Sequence, residues 1–94
     1  MKVKILFFTN LREITRKKEE EIELLNTTTI EQLLNHISKK YGQLFIKYLY
    51  DERGDVRSHL TFLVNGINAE NLQGNKTKLR DGDKLAILPP VGGG

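Results

Sequence analysis

Apolar and polar positions alternate through Lys2-Val3-Lys4-Ile5-Leu6-Phe7-Phe8, and this period of two predicts a first strand. Val3, Ile5 and Phe7 share the inward face. Lys2 and Lys4 mark the other face as outer, which leaves Leu6 and Phe8 on the solvent side. A turn at Thr9-Asn10 leads through Leu11-Arg12-Glu13-Ile14. Glu20-Glu21-Ile22-Glu23-Leu24 predicts a second strand, with Ile22 and Leu24 inward, that pairs with the first as a hairpin with a long loop. At Thr29 the period changes. Ile30, Leu33, Leu34, Ile37 and Tyr41 fall at i, i+3, i+4, i+7 and i+11, the apolar stripe of a helix. Thr29 and Gln32 have the spacing of a capping box, Lys39 and Lys40 suit the negative helix end, and Gly42 stops it.

The segment Leu44 to Tyr50 is apolar-rich and fits either a short helix or an extended stretch. Asp51 to Asp55 reads as a polar turn. Leu60 to Val64 predicts a strand, Asn65-Gly66 a tight turn, and Ile67 to Ala69 a short returning strand. Leu72 and Leu79 are expected to anchor the loop that follows. Asp81-Gly82-Asp83 turns into a last strand, Lys84 to Leu88, and Pro89-Pro90 ends pairing because proline has no N–H to donate. Pairing the first and last strands in parallel at the sheet centre gives an α+β fold: a mixed sheet of about five strands with one main helix on one face. The expected organisation is one domain over residues 1–91 and a glycine tail over 92–94.

Composition narrows the chemistry. The 94 residues include no cysteine, which removes disulfides, zinc-thiolate sites and a cysteine nucleophile. Fifteen basic and twelve acidic side chains give a net charge of +3, but they are interspersed, without the basic stripe and interleaved aromatics of a nucleic-acid binder. The longest early apolar run, Ile5 to Phe8, is too short for a membrane span or signal core, so no membrane partner and a cytoplasmic location are expected. His36 lies on the polar helix face with Asn35, Lys39 and Lys40. His59 has no acidic partner nearby in sequence and reads as structural. No catalytic residue and no metal site are assigned.

Two features stand apart. The rigid Pro89-Pro90 pair projects Gly92-Gly93-Gly94 from a central strand, and glycine lets a backbone enter a narrow channel. What such a tail offers is the carboxylate of Gly94, ionised and unreactive until activated, for example as an acyl adenylate. The other feature is the surplus of apolar residues on the outer sheet face. Leu6 and Phe8 join Leu63, Ala86 and Leu88 there, and an exposed apolar patch on a small domain marks a partner surface.

With these residues in view, the chain resembles the small subunit of molybdopterin synthase, a branch of the ubiquitin-like β-grasp sulfur carriers. The likeness runs through Val3 to Phe8, Leu11-Arg12-Glu13, Thr29 to Leu34, Phe62 to Gly66, Leu79 to Leu85, Pro89-Pro90-Val91 and the terminal glycines. It implies a β-grasp fold, and an adenylating enzyme of the ubiquitin-activating type that uses ATP to activate Gly94, which a sulfur donor then converts to a thiocarboxylate. It implies no cofactor bound by the chain itself. Gly92 and Gly93 would enter the catalytic large subunit, in an assembly of two small and two large subunits. Leu6, Phe8, Leu63, Leu88, Pro89 and Pro90 would dock on the partners. The same activated carboxylate would serve a ubiquitin-like modifier joined through Gly94 to lysines, and a thiamine-pathway carrier or a plain binding module are the other readings. Gly92 stands where the family commonly has a small or polar residue, and Leu44 to Ser58 is longer than in compact members.

Overall fold

The structure is a computed structural model that describes residues 1–90. The elements run β1 (Lys2–Phe7), α1 (Asn10–Thr15), β2 (Glu19–Glu23), β3 (Thr28–Thr29), α2 (Ile30–Tyr41), α3 (Gln43–Leu49), β4 (Thr61–Val64), β5 (Ile67–Asn68), β6 (Lys78–Leu79) and β7 (Lys84–Leu88). Five strands form one mixed sheet in the order β2-β1-β7-β4-β5. β1 and β7 pair in parallel at its centre, and the other neighbours are antiparallel. This is the α+β β-grasp arrangement expected from the alternating first and last strands.

Packing explains the elements. The inner sheet face presents Val3, Ile5, Phe7, Phe62, Val64, Leu85 and Ile87, all buried against the stripe Ile30, Leu33, Leu34 and Ile37 of α2. Fully burying each such side chain is worth about 1.5–3 kcal/mol. The capping box forms: the Gln32 N–H donates to Thr29 Oγ1 at 3.2 Å, and the Thr29 N–H donates to Gln32 Oε1 at 3.0 Å. Asn65 and Gly66, at φ 51° and 85°, make the β4–β5 turn, where both central residues need positive φ.

Three expectations change. Leu11 to Ile14 belongs to a helix, α1, whose Leu11 and Thr15 are buried one turn apart, and Thr15 Oγ1 donates back to the Leu11 carbonyl at 2.7 Å. The hairpin of β1 and β2 is therefore joined by a helix rather than a plain loop. The ambiguous segment resolves as α3. Gly42, at φ +82°, lets the chain turn from α2 into α3, and Phe45 and Leu49 then fall one turn apart in the core. Phe45 stacks on Tyr41 at 5.4 Å between centroids and meets the edge of Phe7 at 6.2 Å. Leu79 anchors its loop in full burial, but Leu72 is 43% exposed, because the 3₁₀ turn Ala69–Asn71 buries Ala69 in its place. Among the described residues no helix is long and apolar enough to cross a membrane.

Candidate functional site

The site is built from the strand that carries the tail. β7 is flanked by β1 and β4, so its ladder bonds are satisfied on both sides and its direction is fixed up to Leu88. The register sets one row across the outer face: Glu19, Leu6, Ala86, Leu63 and Asn68 lie side by side. One step nearer the tail, Leu88 stands opposite Thr61, and Phe8 follows Phe7 at the end of β1. Leu6, Phe8, Leu63, Leu88, Pro89 and Pro90 are all partly exposed and together form an apolar area around the root of the tail. Ala86 also faces outward, yet it is buried, because a methyl group between Leu6 and Leu63 does not reach past them.

Polar groups frame this area. The Arg12 guanidinium lies over the Phe8 ring at 5.4 Å, and its Nε–H donates to the Phe7 carbonyl at 2.9 Å. A cation held over an aromatic face in this way is fixed at the rim while its remaining donors stay available. Away from the tail the same face becomes charged: Lys4 pairs with Glu19 at 3.1 Å and Lys2 with Glu21 at 3.8 Å. The outer face is thus apolar at the tail end and ionic at the other. Apolar area left open to water near the tail is the part that a partner gains most by covering.

Asp81 and Asp83 are turn residues. Asp81 Oδ1 accepts from the Lys2 N–H at 2.7 Å, and Asp83 accepts from the Arg80 N–H at 2.7 Å and from Asn65 Nδ2 at 2.8 Å. His36 and His59 are both exposed and on separate segments. Gly92, Gly93 and Gly94 lie outside the described residues, as does Val91, the expected last residue of the domain.

The sequence reading passed over Glu20. Its side chain is largely covered and accepts hydrogen bonds from Lys40 Nζ at 2.6 Å, Lys17 Nζ at 3.3 Å and the Tyr41 hydroxyl. Burial pushes its pKa up, but the donors from Lys40, Tyr41 and Lys17 outweigh burial and hold it below the usual value. Burial, then the Glu20 carboxylate, pushes the Tyr41 hydroxyl well above its ordinary value, so it stays protonated and donating. This cluster ties the edge strand β2 to the end of α2.

Comparison with known proteins follows the geometry. The ThiS family model matches residues 5–94. The chain belongs to the ThiS family. Over 94 residues this ThiS-family chain is 31% identical to small archaeal modifier protein 3 of Haloferax volcanii, with 100% of both chains covered. It is 30% identical over 95 residues to the molybdopterin synthase sulfur carrier subunit of Chlamydomonas reinhardtii, again with 100% of both covered. The solution structure of small archaeal modifier protein 1 from Methanosarcina acetivorans superposes with a TM-score of 0.81 at 33% identity, covering 99% of this chain and 96% of that one. The likeness to the molybdopterin synthase small subunit therefore holds, and the fold is the ubiquitin-like β-grasp of the sulfur carriers.

Proposed function

We propose that this ThiS-family protein is the sulfur-carrier subunit of a molybdopterin synthase, with Gly94 as the group that carries sulfur. The observation that supports this most directly is the tail-end apolar area: a strand held on both sides runs to Leu88, beside Leu6, Phe8 and Leu63. An adenylating partner needs such a surface to hold the carrier while the last glycines reach its active site.

The chemistry proceeds in two transfers. A carboxylate oxygen of Gly94 attacks the α-phosphorus of ATP on the adenylating enzyme, and pyrophosphate leaves. A sulfide or persulfide donor then attacks the acyl carbon and AMP leaves; sulfide gives the thiocarboxylate directly, whereas a persulfide gives an acyl disulfide that a second thiol cleaves, leaving the thiocarboxylate and a donor disulfide. In the large subunit the thiocarboxylate sulfur bonds to a pterin precursor, and water then cleaves the acyl–sulfur bond and releases the carrier as its carboxylate. ATP is used by the partner, and the carrier itself supplies no catalytic residue. Gly92 and Gly93 are the tail that enters, and Leu6, Phe8, Leu63, Leu88, Pro89 and Pro90 are the docking residues. The assembly has two small and two large subunits and works in the cytoplasm.

A second reading has its own support. The Haloferax and Methanosarcina relatives are named modifiers, at 31% and 33% identity. In that reading a lysine amine on another protein attacks the activated Gly94 carbonyl and an isopeptide bond replaces the acyl adenylate. Intact mass after co-expression with an adenylating enzyme separates the outcomes. Exchange of one terminal oxygen for sulfur supports the carrier, and Gly94-dependent conjugates support the modifier. Deleting Gly94 abolishes either product and leaves the melting temperature unchanged, because a chain end adds little to stability. A chain that is neither thiolated nor conjugated overturns both.

A further inference from the structure

The pole of the sheet opposite the tail carries a second surface. Antiparallel pairing brings the end of β2 beside the start of β1, and the β4–β5 turn beside the start of β7, where the Asn65 N–H donates to the Lys84 carbonyl at 2.9 Å. A groove of about 810 Å³ opens there, walled by Val64, Ile67, Leu72 and Thr77, with Lys78 and Arg80 on its rim. Ile67 is 50% and Leu72 43% exposed, although β5 and the following 3₁₀ turn have core positions available, as Ala69 shows. None of these residues is part of the tail-end area.

The charges of the groove are unbalanced. Among the described residues Lys78 and Arg80, like most of the basic side chains, lie beyond ion-pairing distance of a carboxylate. Asp83 also lines the groove and accepts from the Arg80 N–H and from Asn65 Nδ2, neutral donors that leave its charge in place, so two cations face one carboxylate and the groove is net positive. The exposed Ile67 and Leu72, beside a net positive charge in an otherwise polar lining, are complementary to apolar side chains alternating with carboxylates. The concave shape suits a narrow peptide segment, whereas a bilayer would need a convex or flat contact.

We propose that this groove is a docking site for an acidic, leucine-type segment of a partner protein, occupied independently of the tail. Because the two surfaces are at opposite poles, a partner held here remains bound while the tail is inside an enzyme. The proposal does not depend on which fate Gly94 has.

The test uses the ¹⁵N-labelled full chain and two synthetic peptides, one alternating Leu with Glu and its counterpart alternating Leu with Lys. The Leu/Glu peptide is expected to shift the amides of Ile67, Leu72 and Thr77 to Arg80 saturably, and the Leu/Lys peptide is expected not to. Lys78→Glu with Arg80→Glu should weaken binding by about tenfold or more, since two attractive pairs become repulsive. Phe8→Asp, beyond the far end of β1, should leave binding unchanged. Equal binding of both peptides, no binding, or shifts confined to the Leu6–Leu63 face would overturn the proposal. So would shifts of the same amides produced by dilution alone, which would make a second copy the occupant, or by anionic phospholipid vesicles in place of the peptide.

Discussion

Glu20 gives the most quantitative prediction. Glu20→Ala removes the common acceptor of Lys17, Lys40 and Tyr41. The two lysines are about half exposed, so each pair contributes only about 0.2–0.5 kcal/mol. The Tyr41 hydroxyl is half-buried and donates to a carboxylate, a bond worth about 1.5 kcal/mol net. The expected loss is therefore about 2 kcal/mol near pH 7. Glu20→Gln keeps an acceptor for Tyr41 and loses the charge, so about 1 kcal/mol is expected. The sign of the pH dependence follows from the lowered folded-state pKa. The stabilisation is fully present above the unfolded-state value of about 4.3, and it is lost as pH falls through the lower folded-state value. Urea unfolding of wild type and Glu20→Gln from neutral pH to below 3 measures it. The two curves should converge in acid with unchanged m. A difference that is absent at pH 7, or that persists undiminished in acid, would refute the assignment of Glu20 as the charged acceptor.

Two further outcomes are expected. Leu63→Asp places a charge in the middle of the tail-end area and should lower the rate of Gly94 adenylation at least tenfold, as initial rates would show. Its unfolding free energy should change by under about 1 kcal/mol, because the side chain is already partly in water. Thr29→Ala removes one half of the capping box and should cost about 1 kcal/mol in urea unfolding without altering adenylation.

The elements that the sequence made legible are those long enough to show a period. The alternation in β1, β4 and β7 set the inward and outward faces correctly, including Leu6 and Leu63. The stripe from Ile30 to Tyr41 and its capping box set α2. The short helices escaped for a definite reason. α1 has six residues and α3 seven, and each buries residues only one turn apart, a spacing that two strand positions on one face also satisfy. Thr9 enters α1 at φ 44° with no side-chain cap, so no start signal is present. β3 and β6 pair over two residues each and have no period at all. Glu20 looked like its neighbours Glu19 and Glu21, since its partner Tyr41 is twenty-one residues away and only the tertiary fold brings them together. The groove at Ile67 and Leu72 was hidden for the same reason, and Leu72 was expected to be an anchor inside.

The parallel pairing of β1 with β7 bears on how the protein is made. β1 is synthesised first and waits with one edge unpaired until β7 emerges, and β4 waits for the same strand. Sequence separations of this size slow folding, and they leave the nascent sheet in two halves. The strand that joins the halves is followed directly by Pro89 and Pro90, where ladder pairing stops. A chain truncated before β7 would thus lack a closed sheet, with β1 and β4 each left with an open edge to which other chains can add.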